Sequence, residues 1–146
     1  MINSRFKFRF WDSKDKEIFY SEIFRYKSLP KFFHGFDLAK KIGNKPILMQ
    51  WTGVQDNQGQ DVYEGDIVKC IDPETKNKKI GSVVFGKNNG SFCFHFANIG
   101  TGINTPILNY ISSLMCLAPK SHFKVLGNIY QNPELFQKLQ EDNSND

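Results

Sequence analysis

The sequence predicts a mainly β protein, built from short strands around one strongly curved sheet. Three observations carry that reading. Residues 5–11 alternate charge and aromatic, an Asn-Gly reversal separates two apolar runs between residues 80 and 96, and Gly53, Gly59 and Gly65 punctuate the centre at closely spaced bends. Glycine tolerates backbone angles that other residues avoid, so short strands between such bends suit a sheet that curls to remove its edges.

Arg5-Phe6-Lys7-Phe8-Arg9-Phe10-Trp11 has period two, which a strand converts into two distinct faces. Asp12-Ser13-Lys14-Asp15-Lys16 is polar enough for a turn, and Glu17-Ile18-Phe19-Tyr20 returns as the partner of an N-terminal hairpin. Residues 21–45 show a blurred pattern, with a short helix over Leu38–Ile42 ended by Gly43 and Asn44. Pro46 to Trp51 reads as a buried strand, Asp56-Asn57-Gln58-Gly59 as a tight reversal, and Glu64-Gly65 as a second turn that feeds the strand Asp66 to Ile71. Ile80 to Phe85 and Ser91 to Phe96 form a hairpin across Lys87-Asn88-Asn89-Gly90, with Phe92, Phe94 and Phe96 on one face. Asn98 to Pro106 reads as loop, while Ile107 to Leu117 suits helix or strand equally. Phe123 to Leu126 closes the sheet, and Asn132-Pro133 opens a short C-terminal helix with Asn as cap and Pro in its first turn.

At 146 residues with 14 Phe, the chain is long enough to enclose an aromatic core without cross-links. One domain is expected over residues 1–140, followed by a polar tail over 141–146. Cys70, Cys93 and Cys116 are odd in number and lack close spacing, which fits a reducing compartment. No run is apolar enough for a leader or a membrane span, so a cytoplasmic protein without a membrane partner is expected. Net charge is +4, but residues 1–45 hold 11 basic and 5 acidic side chains, so the positive charge belongs to the N-terminal third.

Three collinear blocks resemble the YopX family of phage and prophage proteins. They are Lys7-Phe8-Arg9-Phe10-Trp11-Asp12, the stretch Met49 to Val68 with its Trp51-Thr52-Gly53 and Tyr63-Glu64-Gly65-Asp66 elements, and Val125 to Leu135 with Leu126-Gly127-Asn128-Ile129-Tyr130. The resemblance implies a YopX-like fold with an SH3-like, partly open barrel. It brings no established molecular function and no active site. Trp51 stands where the family pattern leads one to expect Tyr or Phe, and residues 98–120 match nothing in it.

The residues themselves suggest few sites. Arg5, Lys7 and Arg9 would project from one side of a strand about 6 to 7 Å apart, near the phosphate repeat of nucleic acid. The same stripe would also serve simply to block edge pairing. Trp51 and Tyr63 would form an aromatic surface for bases or a peptide, or else pack in the core. Cys93 and His95 share a strand face about 7 Å apart, too far for a nucleophile and its base. The Gly100-Thr101-Gly102 stretch lacks the Lys-Ser/Thr of a phosphate-binding loop. His34, His95, His122 and the cysteines are scattered, so no metal and no cofactor is expected. A non-catalytic binding module for a protein or nucleic-acid partner is the leading expectation. A self-associating structural protein built on the Phe surplus and residues 107–117 is the alternative, and a thiol-dependent enzyme comes third.

Overall fold

The computed structural model describes residues 6–21, 28–71, 75–88, 90–96, 104–107 and 122–135. The protein is mainly β, and its chain forms two compact units, Met1–Trp51 and Thr52–Asp146.

In the first unit, β1 (Phe8–Asp12) and β2 (Glu17–Tyr20) form the expected hairpin, with Asp12 opposite Glu17. A four-residue loop joins them. The Asp12 carboxylate accepts from the Lys14 and Asp15 N–H groups at 3.0 and 3.3 Å, and Lys16 takes a left-handed φ of 56° to close the turn. The first part of β3 (Ile47–Gln55) pairs with the other edge of β1, Arg9 opposite Met49.

Between β2 and β3 lies α1 (Ser28–Lys41), far longer than the short helix expected over Leu38–Ile42. Its apolar stripe, Phe32, Gly35, Phe36 and Ala39, has the i, i+3, i+4, i+7 spacing of a core-facing helix. Phe10 meets Phe32 and Phe36 at 5.3 and 5.6 Å between ring centres, and stacks on Phe19 at 4.9 Å. Pro30 is tolerated because it falls in the first turn, where its missing N–H has no helical partner to lose. The helix stops as anticipated. Gly43 adopts φ +86°, its N–H reaches Lys40 O, and the Asn44 N–H reaches Ala39 O, the paired bonds of a glycine-terminated helix.

The second unit contains the rest of β3, β4 (Asp61–Tyr63), and a five-stranded antiparallel sheet that curls into a half-barrel. Its order is β8-β7-β6-β5-β9, where β5 is Asp66–Ile71, β6 Lys78–Gly86, β7 Ser91–His95, β8 Asn104–Pro106 and β9 Phe123–Asn128. Strand β5 starts and ends where the sequence reading put it. Strand β8 corrects the loop expected over Asn98 to Pro106; three paired residues are too few for alternation to show. The hairpin of β6 and β7 closes over residues 87–90 as expected, with Gly90 at φ +62°.

One core fills the curl. Val62, Val68, Val83, Phe94, Phe96, Phe123 and Val125 are buried together, with Phe92 packed partly against them. Burying each Phe contributes roughly 2 to 3 kcal/mol, and the edge-to-face contact of Phe94 with Phe123 at 5.0 Å adds to it.

The reversal after β3 does more than turn the chain. Asp56 is buried; its Oδ1 accepts from the Gln58 and Gln60 N–H groups, and its Oδ2 from the Val125 N–H at 3.0 Å, tying the loop to β9. A helical turn begins at Pro133 as anticipated, but the Asn132 side chain accepts from the Asn128 N–H at 3.3 Å and so braces the end of β9. Among the described residues no helix is long and apolar enough to cross a membrane. Residues 108–117 and the tail over 141–146 lie outside the described part.

Candidate binding site in the first unit

The two surfaces expected from the sequence do not form as read. Arg9 is only 4% exposed, so the basic stripe is corrected to a face that is not open along its length. Period two explains the burial: the face that carries Lys7 and Arg9 also carries Trp11, itself buried, and a guanidinium stem packs readily beside an aromatic. Arg5 lies outside the described residues. Tyr63 is also corrected, being 2% exposed. Its N–H bonds Asp66 Oδ2 at 2.8 Å across the Glu64-Gly65 turn, where Gly65 takes φ +81°, and the strand end is drawn into the core. Lys7 and Trp51, named for separate reasons, come together. The Lys7 Nζ lies 4.5 Å above the half-buried Trp51 ring, and the Trp51 N–H donates to Lys7 O.

The two described thiols are poorly placed for chemistry. Burial pushes the Cys70 thiol up to about 12, outweighing the nearby Lys79 charge, and a thiol that keeps its proton is a poor nucleophile. Cys93 is fully buried with its Sγ directed to Ser91. Cys116 and the Gly100-Thr101-Gly102 stretch fall outside the described residues. Among those described, no three His, Cys, Asp or Glu side chains gather as metal ligands would.

What the first unit does hold is a cavity of about 240 Å³ between the β1–β2 hairpin and α1. Phe10, Phe19, Phe32 and Ala39 make its walls, and Leu38 and Ile42, 51% and 60% exposed, stand at its rim. An engineered apolar cavity of about 150 Å³ already admits benzene, so this space takes a substituted ring.

Gly35 also lines the cavity, and neither its backbone nor its packing demands glycine. Its φ is not in the left-handed region, and a Cβ built on it would meet nothing within 4 Å. A glycine inside a helix costs about 1 kcal/mol relative to alanine. Here that cost leaves open space and nothing else.

The cavity has one polar end. The Asn44 Nδ2 donates to Asp12 Oδ2 at 2.6 Å, and both side chains are buried. Burial alone would raise the Asp12 carboxyl, but the Asn44 amide and the Asp15 and Lys14 N–H groups outweigh it and hold the group below its ordinary value of 3.8. Asp12 is therefore a carboxylate at neutral pH. A carboxylate only accepts, which fixes Asn44 with its NH₂ toward Asp12. The opposite atom, Asn44 Oδ1, is buried and has no hydrogen-bond partner among the described residues.

Sequence alone does not mark Asp12, Gly35 and Asn44 as site residues. Asp12 and Asn44 have turn and helix-stop roles that fully explain them in sequence. The stripe Phe32, Gly35, Phe36, Ala39 was the available signal, since it places Gly35 on the buried face of a helix.

The YopX protein family model matches residues 7–137. This chain belongs to the YopX family. The chain is similar to the crystal structure of protein EF1440 from Enterococcus faecalis, with a TM-score of 0.48 and 20% identity over 89% of this chain and 96% of that one. No curated protein matches the chain.

Proposed function

We propose that this YopX protein is a non-catalytic binding module of phage or prophage origin, working in the cytoplasm of the bacterial host, that seats an apolar group of a protein partner in the cavity of its first unit. The observation that carries this is Gly35: a helix-weakening residue lines the cavity, its φ lies outside the left-handed region, and a Cβ on it would meet no described atom within 4 Å. Exposed Leu38 and Ile42 beside the opening supply the apolar surround of an anchor pocket. A nucleic acid is less well served, because Arg9 is buried and the Asp12 carboxylate would repel a phosphate.

The test is affinity capture from induced host cells with two baits, the native chain and Gly35→Leu, whose side chain fills the space. A protein retained by the first and lost by the second is the expected result. Equal retention on both, or recovery of nucleic acid alone, overturns the reading.

A further inference from the structure

We infer that the outer face of the curled sheet in the second unit holds the phosphate backbone of a nucleic-acid strand, through Lys69, Lys78 and Lys124. This site is separate from the cavity of the first unit and goes beyond the function proposed above.

Strand register assembles it. Val68, Cys70, Phe123 and Val125 belong to the core, so the alternation of β5 and β9 turns Lys69, Ile71 and Lys124 outward. Lys69 stands directly opposite Lys124 on β9 and Ile80 on β6, and Ile71 stands opposite Lys78. Directly opposed side chains start about 5 Å apart and diagonal ones about 7 to 8 Å, so three lysines remote in sequence form one cluster. Lys78 and Lys124 are exposed, Lys69 is half-buried, and Ile71 among them is 41% exposed, so the cluster is open to solvent.

The fold does not account for this grouping. Like charges set directly opposite each other on a sheet cost stability, and among the described residues no hydrogen bond or ion pair holds any of the three ammonium groups. Asp66, the single acid of β5, β6 and β9, is buried and accepts from the Tyr63 N–H. Asp72 and Glu74 lie outside the described residues. Lysine on an edge strand guards against stray pairing, which explains Lys124 on β9. It does not explain Lys69, because β5 runs between β6 and β9. Residues 52–146 hold 8 basic and 10 acidic side chains, so the cluster is a local positive patch in a unit of negative net charge, and it draws an anion.

Two features favour phosphate in series. Residues 52–146 contain no arginine, the side chain whose planar fork grips a carboxylate, whereas lysine meets phosphate as a point charge. The spacings of about 5 and 7 to 8 Å bracket the phosphate repeat of an extended strand, and flexible lysine stems let the ammonium heads follow it. The side chains between the lysines are Ile71 and Ile80 rather than rings that stack on bases, so the face holds a backbone without reading its sequence.

The full chain is mixed with a fluorescein-labelled single-stranded oligonucleotide of about 20 nucleotides and mixed sequence, and anisotropy is followed over a salt series. The slope of log K against log salt is expected to be about −2, the counterion release of three phosphates on a single strand. Lys69→Gln/Lys124→Gln should bring that slope to about −0.7, with a urea midpoint equal to or above that of the native chain because the opposed charges are gone. Lys40→Gln/Lys41→Gln, which removes as much charge from α1, should keep the slope at about −2. Gly35→Leu should bind the oligonucleotide as the native chain does, so this inference and the cavity reading fail separately. No binding at about 20 mM salt, or an equal loss in the α1 variant, overturns the site. Lost binding together with a lowered urea midpoint in Lys69→Gln/Lys124→Gln assigns the lysines to the fold and overturns it as well. Poly-glutamate that displaces the label as well as unlabelled oligonucleotide does, at equal charge, overturns the nucleic acid in favour of an acidic protein.

Discussion

Replacing Asp56 by alanine removes the acceptor of three backbone N–H groups at once. Two of them, on Gln58 and Gln60, belong to an exposed reversal and can turn to water, so their loss resembles that of a helix cap, about 1 kcal/mol together. The third is the Val125 N–H, inside β9, which water does not replace; a hydrogen bond to a charged acceptor in such a place is worth about 1.5 to 3 kcal/mol. Asp56→Ala should therefore destabilise the second unit by about 3 kcal/mol, a hundredfold in its folding equilibrium. Asp56→Asn, which keeps one carbonyl oxygen, should lose about half as much. Urea denaturation followed by far-ultraviolet circular dichroism gives the difference, and hydrogen exchange at Val125 locates it. Trp11 and Trp51 both lie in the first unit, so their fluorescence serves as the internal control. A loss under about 1 kcal/mol, or unchanged exchange at Val125, would show that the loop is not tied to β9 through this carboxylate.

The remaining predictions concern single groups. Gly35→Ala should raise stability by about 0.5 to 1 kcal/mol in a urea titration, because it restores helix propensity and its methyl meets no neighbour; a loss would show the space to be filled. Gly127→Ala should destabilise by about 1 to 2 kcal/mol, since the new methyl would meet the Asn132 side-chain oxygen and push it from the Asn128 N–H; exchange at Asn128 should rise with it. The Asp12 carboxyl binds its proton more weakly when folded, so its contribution to stability is whole above 3.8 and falls as the pH drops through the lower, folded-state value. The stability gap between the native chain and Asp12→Asn, measured by denaturation across that range, should shrink on acidification; a gap that grows would contradict the depressed carboxyl.

Much of the β structure was legible because strand patterning is local. The hairpin of β1 and β2, the bounds of β5 and the Phe-lined hairpin of β6 and β7 all follow from alternation and turn residues that lie within a few positions of one another. Helix α1 was less legible. Its stripe is made of Phe, Gly and Ala, residues of mixed helix propensity, and it gains its meaning from Phe10 and Phe19 on a hairpin remote in sequence. Its stop was visible at Gly43, but not that the same turn delivers Asn44 to Asp12, 32 positions away.

The sequence by itself therefore determined the family, the mainly β character and most strand positions, each set by neighbours along the chain. Only the tertiary structure decided that Arg9 and Tyr63 are buried, that Lys7 covers Trp51, and that Gly35 lines a cavity bordered by the bonded pair Asp12 and Asn44. Periodicity states which residues share a face. Whether that face meets water, another element or a cavity depends on what folds against it.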